Sequence, residues 1–358
     1  MKSTFIFTAV LSLFCSILPA QEEKTPVKKE AEEKKEEKVS YRYSGGVKRP
    51  YVIHQSPTDG FFYIGSTIGR EDSKDGQAQI TVLAFEDFEQ YELKRFQKPV
   101  IISTEYPKTV FDSPRGIVTF GEYIITTDFD ALAIFKKVEK GLPEQIGRLK
   151  IDGAKELESI IKVDDSFYMT DSAANGIFKV TGLMDPKERK ITPLTKIPSP
   201  KGMIYDAENN ALLVVSSKVN KLFEYNLEDA QKSKSYTLAP EPAKDAVAGY
   251  KGFQGLCMGN QKEIYLTHYK SNMIMIYFRD QDRPATVPKP MPYAKMFLKD
   301  IRTPTSIIYE KTLNRIAFTQ HYYNVVMFHK GLPAQLTDDI LNKDIKVDDT
   351  LELEKKSK

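Results

Sequence analysis

Arg115, Glu158 and Lys201 recur 43 residues apart, at the same place in three successive segments, "SPRGIVTF", "ELESIIKV" and "SPKGMIY". An arginine and a lysine brought to one opening can hold a carboxylate, a phosphate or a sugar acid. A glutamate between them does the reverse, neutralising both so that the three become a structural ion network. Both readings stand on the residues alone. Gln254 and Thr305 continue the series in two later segments. Further downstream in the segments come Asp128, Asp130, Asp171, His268, Tyr269, His321, Tyr322 and Tyr323. The tyrosines and histidines suit stacking on sugar faces or on a partner's side chains. Converging carboxylates suit a hard cation, and Glu158, Asp128 and Asp171 are the candidate ligands by type. An Asp at the end of a strand more often caps its own loop.

Other chemistries find no support in the residues. There is no Gly-x-Ser-x-Gly elbow, since "GSTIG" at 65–69 has the wrong spacing. No phosphate loop, CxxC pair or HExxH helix occurs. His54, His268, His321 and His329 are scattered. The balance of 52 basic against 49 acidic side chains gives nucleic acid no electrostatic handle.

These residues need elements to bring them together, and a repeat supplies them. Short apolar strands end at Ser66, Asp128, Asp171, Ser216, His268 and Gln320, at spacings of 62, 43, 45, 52 and 52 residues. Periods of this size mark propeller blades or solenoid arrays. Each unit also has an upstream strand and a turn, such as Gly121-Glu122, Asn209-Asn210, Gly259-Asn260 or 310–314. Asn175, Asn220, Asn272 and Asn324 close the following loop, with Leu132 in their place in the second unit. Asn tolerates the left-handed backbone that such loops require, so the repeated Asn reads as a turn device. Six units without amphipathic helices predict an all-β, six-bladed β-propeller with four-stranded antiparallel blades. Segments 86–104 and 226–248 supply fourth strands, and 41–53 closes the ring against the last blade. The start of the first strand and the loop between the second and third then share one face, the channel mouth. "TIGREDSKDGQA" at 67–78 is long enough to fold over it.

The run Pro-x-Gly-apolar, a turn, an apolar strand ending in Thr-Asp, then Asn-x-Ile-Phe resembles the NHL-repeat propellers. It is also similar to the six-bladed propellers of the senescence-marker-protein/gluconolactonase and strictosidine-synthase-like groups, over roughly residues 45–330. The resemblance implies the fold, and a mouth where the gluconolactonase-like members hold a divalent cation through Glu, Asn and Asp. Only Glu158 matches in type here, between Arg115 and Lys201; "VIHQSPTDG" lacks that family's Glu-x-Pro, and Gln254 and Thr305 stand at the remaining ligand positions.

Residues 1–20 read as an export signal: Lys2, an apolar run from Phe5 to Leu18, then Pro19-Ala20. Cys15 lies inside it, and Ser12-Leu13-Phe14 before it make a poor lipid-attachment site. Residues 21–40 carry seven Glu and six Lys and read as a solvated tether. The propeller is expected over 41–335 and a polar tail over 336–358. Without the signal, Cys257 is left alone, so burial and not a disulfide must hold the fold. The expectation is an exported, periplasmic or secreted monomer without a transmembrane helix. It would bind a small anionic or sugar-like ligand, or a protein, at the mouth formed by Arg115, Glu158, Lys201, Gln254, His268, Tyr269, His321 and Tyr322, with no cofactor. The alternative is a lactonase-like hydrolase using Ca²⁺ or Zn²⁺ at a rebuilt site.

Overall fold

Strands one and two of every unit pair as a hairpin, and the hairpins stand around one axis. The computed structural model of the chain describes residues 40–44, 46–69, 74–83, 100–103, 109–138, 142–238, 252–284, 294–332 and 345–346. Residues 1–39, with the expected signal and nearly all of the expected tether, lie outside them. The innermost strands are Pro50–Gln55, Pro114–Phe120, Leu157–Val163, Pro200–Asp206, Phe253–Met258 and Pro304–Glu310. Each is followed outward by the next strands of its own unit in antiparallel order. The inner strands touch one another in succession, and the first touches both the second and the sixth. The ring is therefore closed, and the architecture is the all-β six-bladed β-propeller that the repeat predicts.

The closing strand is Ser40–Tyr43, which pairs antiparallel with Val325–Lys330 and completes the sixth blade. Only this first part of the expected 41–53 closure does so, because Pro50–Gln55 is the inner strand of the first blade. The fourth strands of the first and fourth blades are Val100–Ser103 and Lys234–Thr237, inside the two connecting segments expected to hold them. The fifth blade has a fifth strand: Ile345–Lys346 lies parallel to Lys295–Lys299. Part of the segment expected as a polar tail thus belongs to a sheet.

The core is divided among the contacts between blades. Among the described residues there are six apolar clusters, one for each neighbouring pair of blades. Between the first two blades, for example, Val52, Tyr63 and Ile80 meet Phe111, Ile117 and Phe135. Second strands such as Phe62–Thr67, Ala211–Ser216 and Arg315–Gln320 are buried along their whole length, since a blade covers them on either side.

A polar contact repeats between blades. The Thr one residue before the end of the second strand accepts an N–H from its own inner strand and donates to a carbonyl of the next blade's inner strand. Thr127 bonds Gly116 N (2.7 Å) and Glu158 O (3.1 Å), and Thr170 bonds Ser159 N (3.0 Å) and Lys201 O (2.6 Å). Thr267 bonds Gly255 N (2.7 Å) and Thr305 O (2.8 Å), and Thr319 bonds Ser306 N (3.0 Å) and Tyr51 O (3.4 Å). Val215 and Gly65 occupy this position in the fourth and first blades.

The repeated Asn also reaches the next blade. Asn175, Asn272 and Asn324 are left-handed (φ 56°, 53° and 54°), as such a loop requires. Their side-chain oxygens accept the backbone N–H of Ser199, Thr303 and Arg49 at 2.7–2.9 Å. Each of those residues precedes the proline that opens the next inner strand. Asn220 does not take the left-handed conformation. In the second blade the loop is the two-residue turn Phe129-Asp130, with Phe129 left-handed at φ 52°. Leu132, expected at the Asn position, is therefore a fully buried third-strand residue.

Thr267→Val keeps the shape of the side chain and strands a buried N–H and a buried carbonyl. It should cost about 1–3 kcal/mol, read as a lower urea midpoint, and Thr267→Ser should restore most of it.

Candidate ligand-binding site at the channel mouth

Every inner strand slips register against its partner within three residues of its start. Such bulges re-aim a side chain, and here they turn one residue per blade toward the axis. The residues are Tyr51, Arg115, Glu158, Lys201, Gln254 and Thr305, all lining a cavity of about 340 Å³. The five expected from sequence are therefore brought together. Tyr51, the first blade's member, was missed because its bulge holds one residue fewer and no glycine. Pro114 pairs with Asp128 and Leu157 with Asp171, so the strand two–three loops do share the mouth face.

The charged half of the ring is self-contained. Glu158 is almost fully buried, and its Oε1 accepts from Arg115 (2.9 Å), Ser172 (3.0 Å) and Lys201. The Tyr51 hydroxyl donates to Oε2 at 3.1 Å. Arg115 also pairs with Glu156, and its guanidinium lies 5.1 Å from the Phe129 ring and 5.6 Å from the Tyr51 ring. Burial would push the Glu158 carboxyl up. The charges of Lys201 and Arg115 and the hydrogen bonds from Lys201 and Ser172 outweigh it and hold the group below its ordinary 4.5. Burial and the neighbouring Glu158 push the Tyr51 hydroxyl well above its usual value. Two cations thus face two carboxylates, Glu156 and Glu158. Glu156 and Ser172 carried no sequence signal, lying outside the repeated ring position.

The two aspartates serve loops. Asp128, completely buried, accepts from Asp112 N (2.8 Å) and Ser113 N (2.9 Å) and pairs with Arg148 (2.8 Å). Asp171 accepts from Lys155 N, Glu156 N and Ala174 N at 2.6–3.1 Å. His268 holds the same strand-end place in the fifth blade, accepting Ser271 N at Nδ1 (3.2 Å), and is buried against Phe253. His321 is buried too, with Nδ1 3.3 Å from Pro50 O and its ring edge-on to Tyr51. These groups shape the mouth without opening onto it. Asp130, which has no such buried role, holds Lys74 of the 67–78 loop at 2.7 Å.

A divalent cation of the kind the resemblance implies does not fit this ring. Glu158 already serves two cations and two hydroxyls, and Asp128 and Asp171 serve backbone N–H groups. Among the described residues no three His, Cys, Asp or Glu side chains converge closely enough to hold a metal.

The other half of the ring is uncharged and has spare hydrogen-bonding capacity. The Gln254 amide of the fifth blade and the Ser306 hydroxyl of the sixth line the cavity without a side-chain hydrogen bond among the described residues. Above this arc stand Tyr322 and Tyr323, 51% and 39% exposed, with Tyr269 6.5 Å from Tyr322. At greater depth His54 reaches across to Thr119 (3.0 Å), and burial drives its pKa down to about 4, so the ring is neutral.

No protein-family model matches the chain, and no curated protein matches it in sequence. Solved propellers share its fold at low identity. A Bacteroides thetaiotaomicron VPI-5482 protein of unknown function has 9% identity over 79% of this chain and 70% of that one, with a TM-score of 0.52. A virginiamycin B lyase from Staphylococcus aureus has 14% identity over 82% of this chain and 99% of that one, with a TM-score of 0.50. A 6-phosphogluconolactonase-like protein from Bacteroides uniformis ATCC 8492 has 15% identity over 78% of this chain and 80% of that one, with a TM-score of 0.51. These likenesses concern the fold alone.

Arg115→Met leaves Glu158 buried beside one cation fewer and should destabilise the fold by about 3–5 kcal/mol, which Arg115→Met/Glu158→Gln should partly recover. Because the Glu158 carboxyl is held below 4.5, its contribution is complete above that pH. Stability should fall as pH drops from there through the lower folded value, and less steeply in Glu158→Gln.

Proposed function

We propose that the protein is a binding module that takes a small polar ligand at the channel mouth. The observation that carries this reading is the uncharged arc: the Gln254 amide and the Ser306 hydroxyl, without a side-chain hydrogen bond among the described residues, line a cavity of about 340 Å³ beneath exposed tyrosines. Of the two ligand classes expected from sequence, the arc favours the sugar-like one. Arg115 and Lys201 are already matched by Glu156 and Glu158, so an anion would have to displace one of these carboxylates. Hydroxyl groups need only donors and acceptors in place, and Gln254 offers both. The cation-dependent lactonase reading would require Glu158 to exchange Arg115 and Lys201 for a metal. The sequence of residues 1–40 adds export and a soluble tether to this proposal.

A thermal-shift screen over neutral sugars and sugar acids tests it. The hits should be neutral sugars, and saturation at a hundred times Kd stabilises the protein by about 2.7 kcal/mol. Gln254→Leu should abolish the shift without changing the Tm of the free protein. Stabilisation that survives Gln254→Leu and Ser306→Ala would place the ligand elsewhere. A chelator should leave the Tm unchanged, whereas a drop reversed by added Ca²⁺ or Zn²⁺ would favour the hydrolase.

A further inference from the structure

Below the polar ring the inner strands carry a second ring of another kind. Three residues past each polar ring member, or two in the first blade with its shorter bulge, stand Ile53, Val118, Ile161, Ile204, Cys257 and Ile308. Five of these are aliphatic, and burial pushes the Cys257 thiol well above its usual range, so the layer carries no charge. All but Val118 line the same cavity as the polar ring. The residues just before them, such as Ile160, Met203 and Ile307, are buried in the clusters between blades. Ile161, Ile204 and Ile308 are only half-buried, although they stand inside the closed ring.

The cavity is deepest beneath the uncharged arc. In the fifth, sixth and first blades its wall continues past the second ring to Met258, Tyr309 and Gln55. In the second blade it stops at Ile117, and in the third and fourth at Ile161 and Ile204. From Gln254 to Met258 the bulge leaves three regular strand steps, a depth of about 10 Å. A single sugar ring held by Gln254 and Ser306 leaves most of that depth unfilled. Deep polar groups are largely engaged: His54 meets Thr119 at 3.0 Å, and the Tyr309 hydroxyl donates to Asn314 at 2.6 Å. Gln55 is the polar end of an otherwise apolar shaft. Replacing water along such a wall by methylene groups is favourable.

From this we infer that the ligand of the mouth is amphipathic. Its neutral sugar or polyol head lies on Gln254 and Ser306, and an aliphatic chain runs down the shaft past Ile204, Cys257 and Ile308. The inference rests on the binding-module reading and adds the class of ligand to it.

Isothermal titration calorimetry on the full chain tests it with methyl, butyl and hexyl glucosides, and with hexanol as the chain alone, below micelle-forming concentrations. Each added methylene should tighten binding by about fourfold, at one site per chain. Ile308→Phe narrows the shaft and should remove the advantage of hexyl over methyl glucoside. Gln254→Leu should weaken the glucosides alike and keep their dependence on chain length. A thermal melt checks that each variant is folded, and Ile204→Thr, which makes the wall smaller and more polar, is a second variant that should lessen the dependence. Glucoside binding without a gain from chain length, or a gain untouched by both wall variants, would overturn the inference and leave a sugar site standing. Hexanol that binds as tightly as hexyl glucoside and ignores Gln254→Leu would overturn the sugar head, and with it the reading of the mouth. Failure of all four probes to bind would overturn both.

Discussion

In the second, fourth and fifth blades the inner strand approaches its neighbour so closely that a methyl group has no room at the contact. A Cβ on Gly116 would sit 2.6 Å from the Glu158 carbonyl, one on Gly202 2.7 Å from that of Gln254, and one on Gly255 2.7 Å from that of Thr305. Those distances are well inside van der Waals contact, so at these three contacts the bulged strand carries no side chain, and a serine stands there in the third and sixth blades. The residue just before the contact then turns toward the axis, where nothing restricts its type. That freedom is why Tyr, Arg, Glu, Lys, Gln and Thr can all occupy one structural position. The packing constraint fixes where the mouth residues stand, and their identities are left open for binding.

Charge is handled in this protein by matching buried groups across blade boundaries. Glu158 of the third blade is matched by Arg115 of the second and Lys201 of the fourth. Toward the opposite face, the fully buried Arg279 of the fifth blade reaches Asp206 (2.7 Å) and Glu224 (2.9 Å) of the fourth, and Asp282. A buried network of this kind fixes which surfaces may meet more than it adds stability. The mouth is thus a place where part of the polar equipment holds blades together and only the remainder is available to a ligand.

Much of the fold is legible in the sequence because its period is carried by strands and turns. The strand two ends, the left-handed Asn175, Asn272 and Asn324, and the positive φ of Gly121 and Asn210 all follow from local backbone preference. The ring of Arg115, Glu158, Lys201, Gln254 and Thr305 was readable because each lies one residue before a glycine or serine of the contact. Three things were not readable. Tyr51 has no glycine after it, and its place in the ring follows from closure. The threonine hydroxyls and Asn side chains bond residues of the next blade, a relation visible only once the blades are side by side. His268 and His321 look like site residues by type, yet one caps a loop and the other packs on Tyr51. Burial, which decides between those roles, depends on the neighbouring blade.

The strand that completes the sixth blade comes from the other end of the chain, with Ser40 paired to His329. During synthesis, the four antiparallel strands of each of the first five sheets can assemble in order as they emerge, but the outer edge of the sixth must be supplied by Ser40–Tyr43, made long before. Locking the circle is therefore among the last events of folding and spans the longest sequence separation of any strand pairing among the described residues. Loop-closure entropy makes such a step slow. Until it happens, the Val325–Lys330 strand presents unpaired backbone groups, an edge on which a second unfinished copy could dock in place of the proper strand.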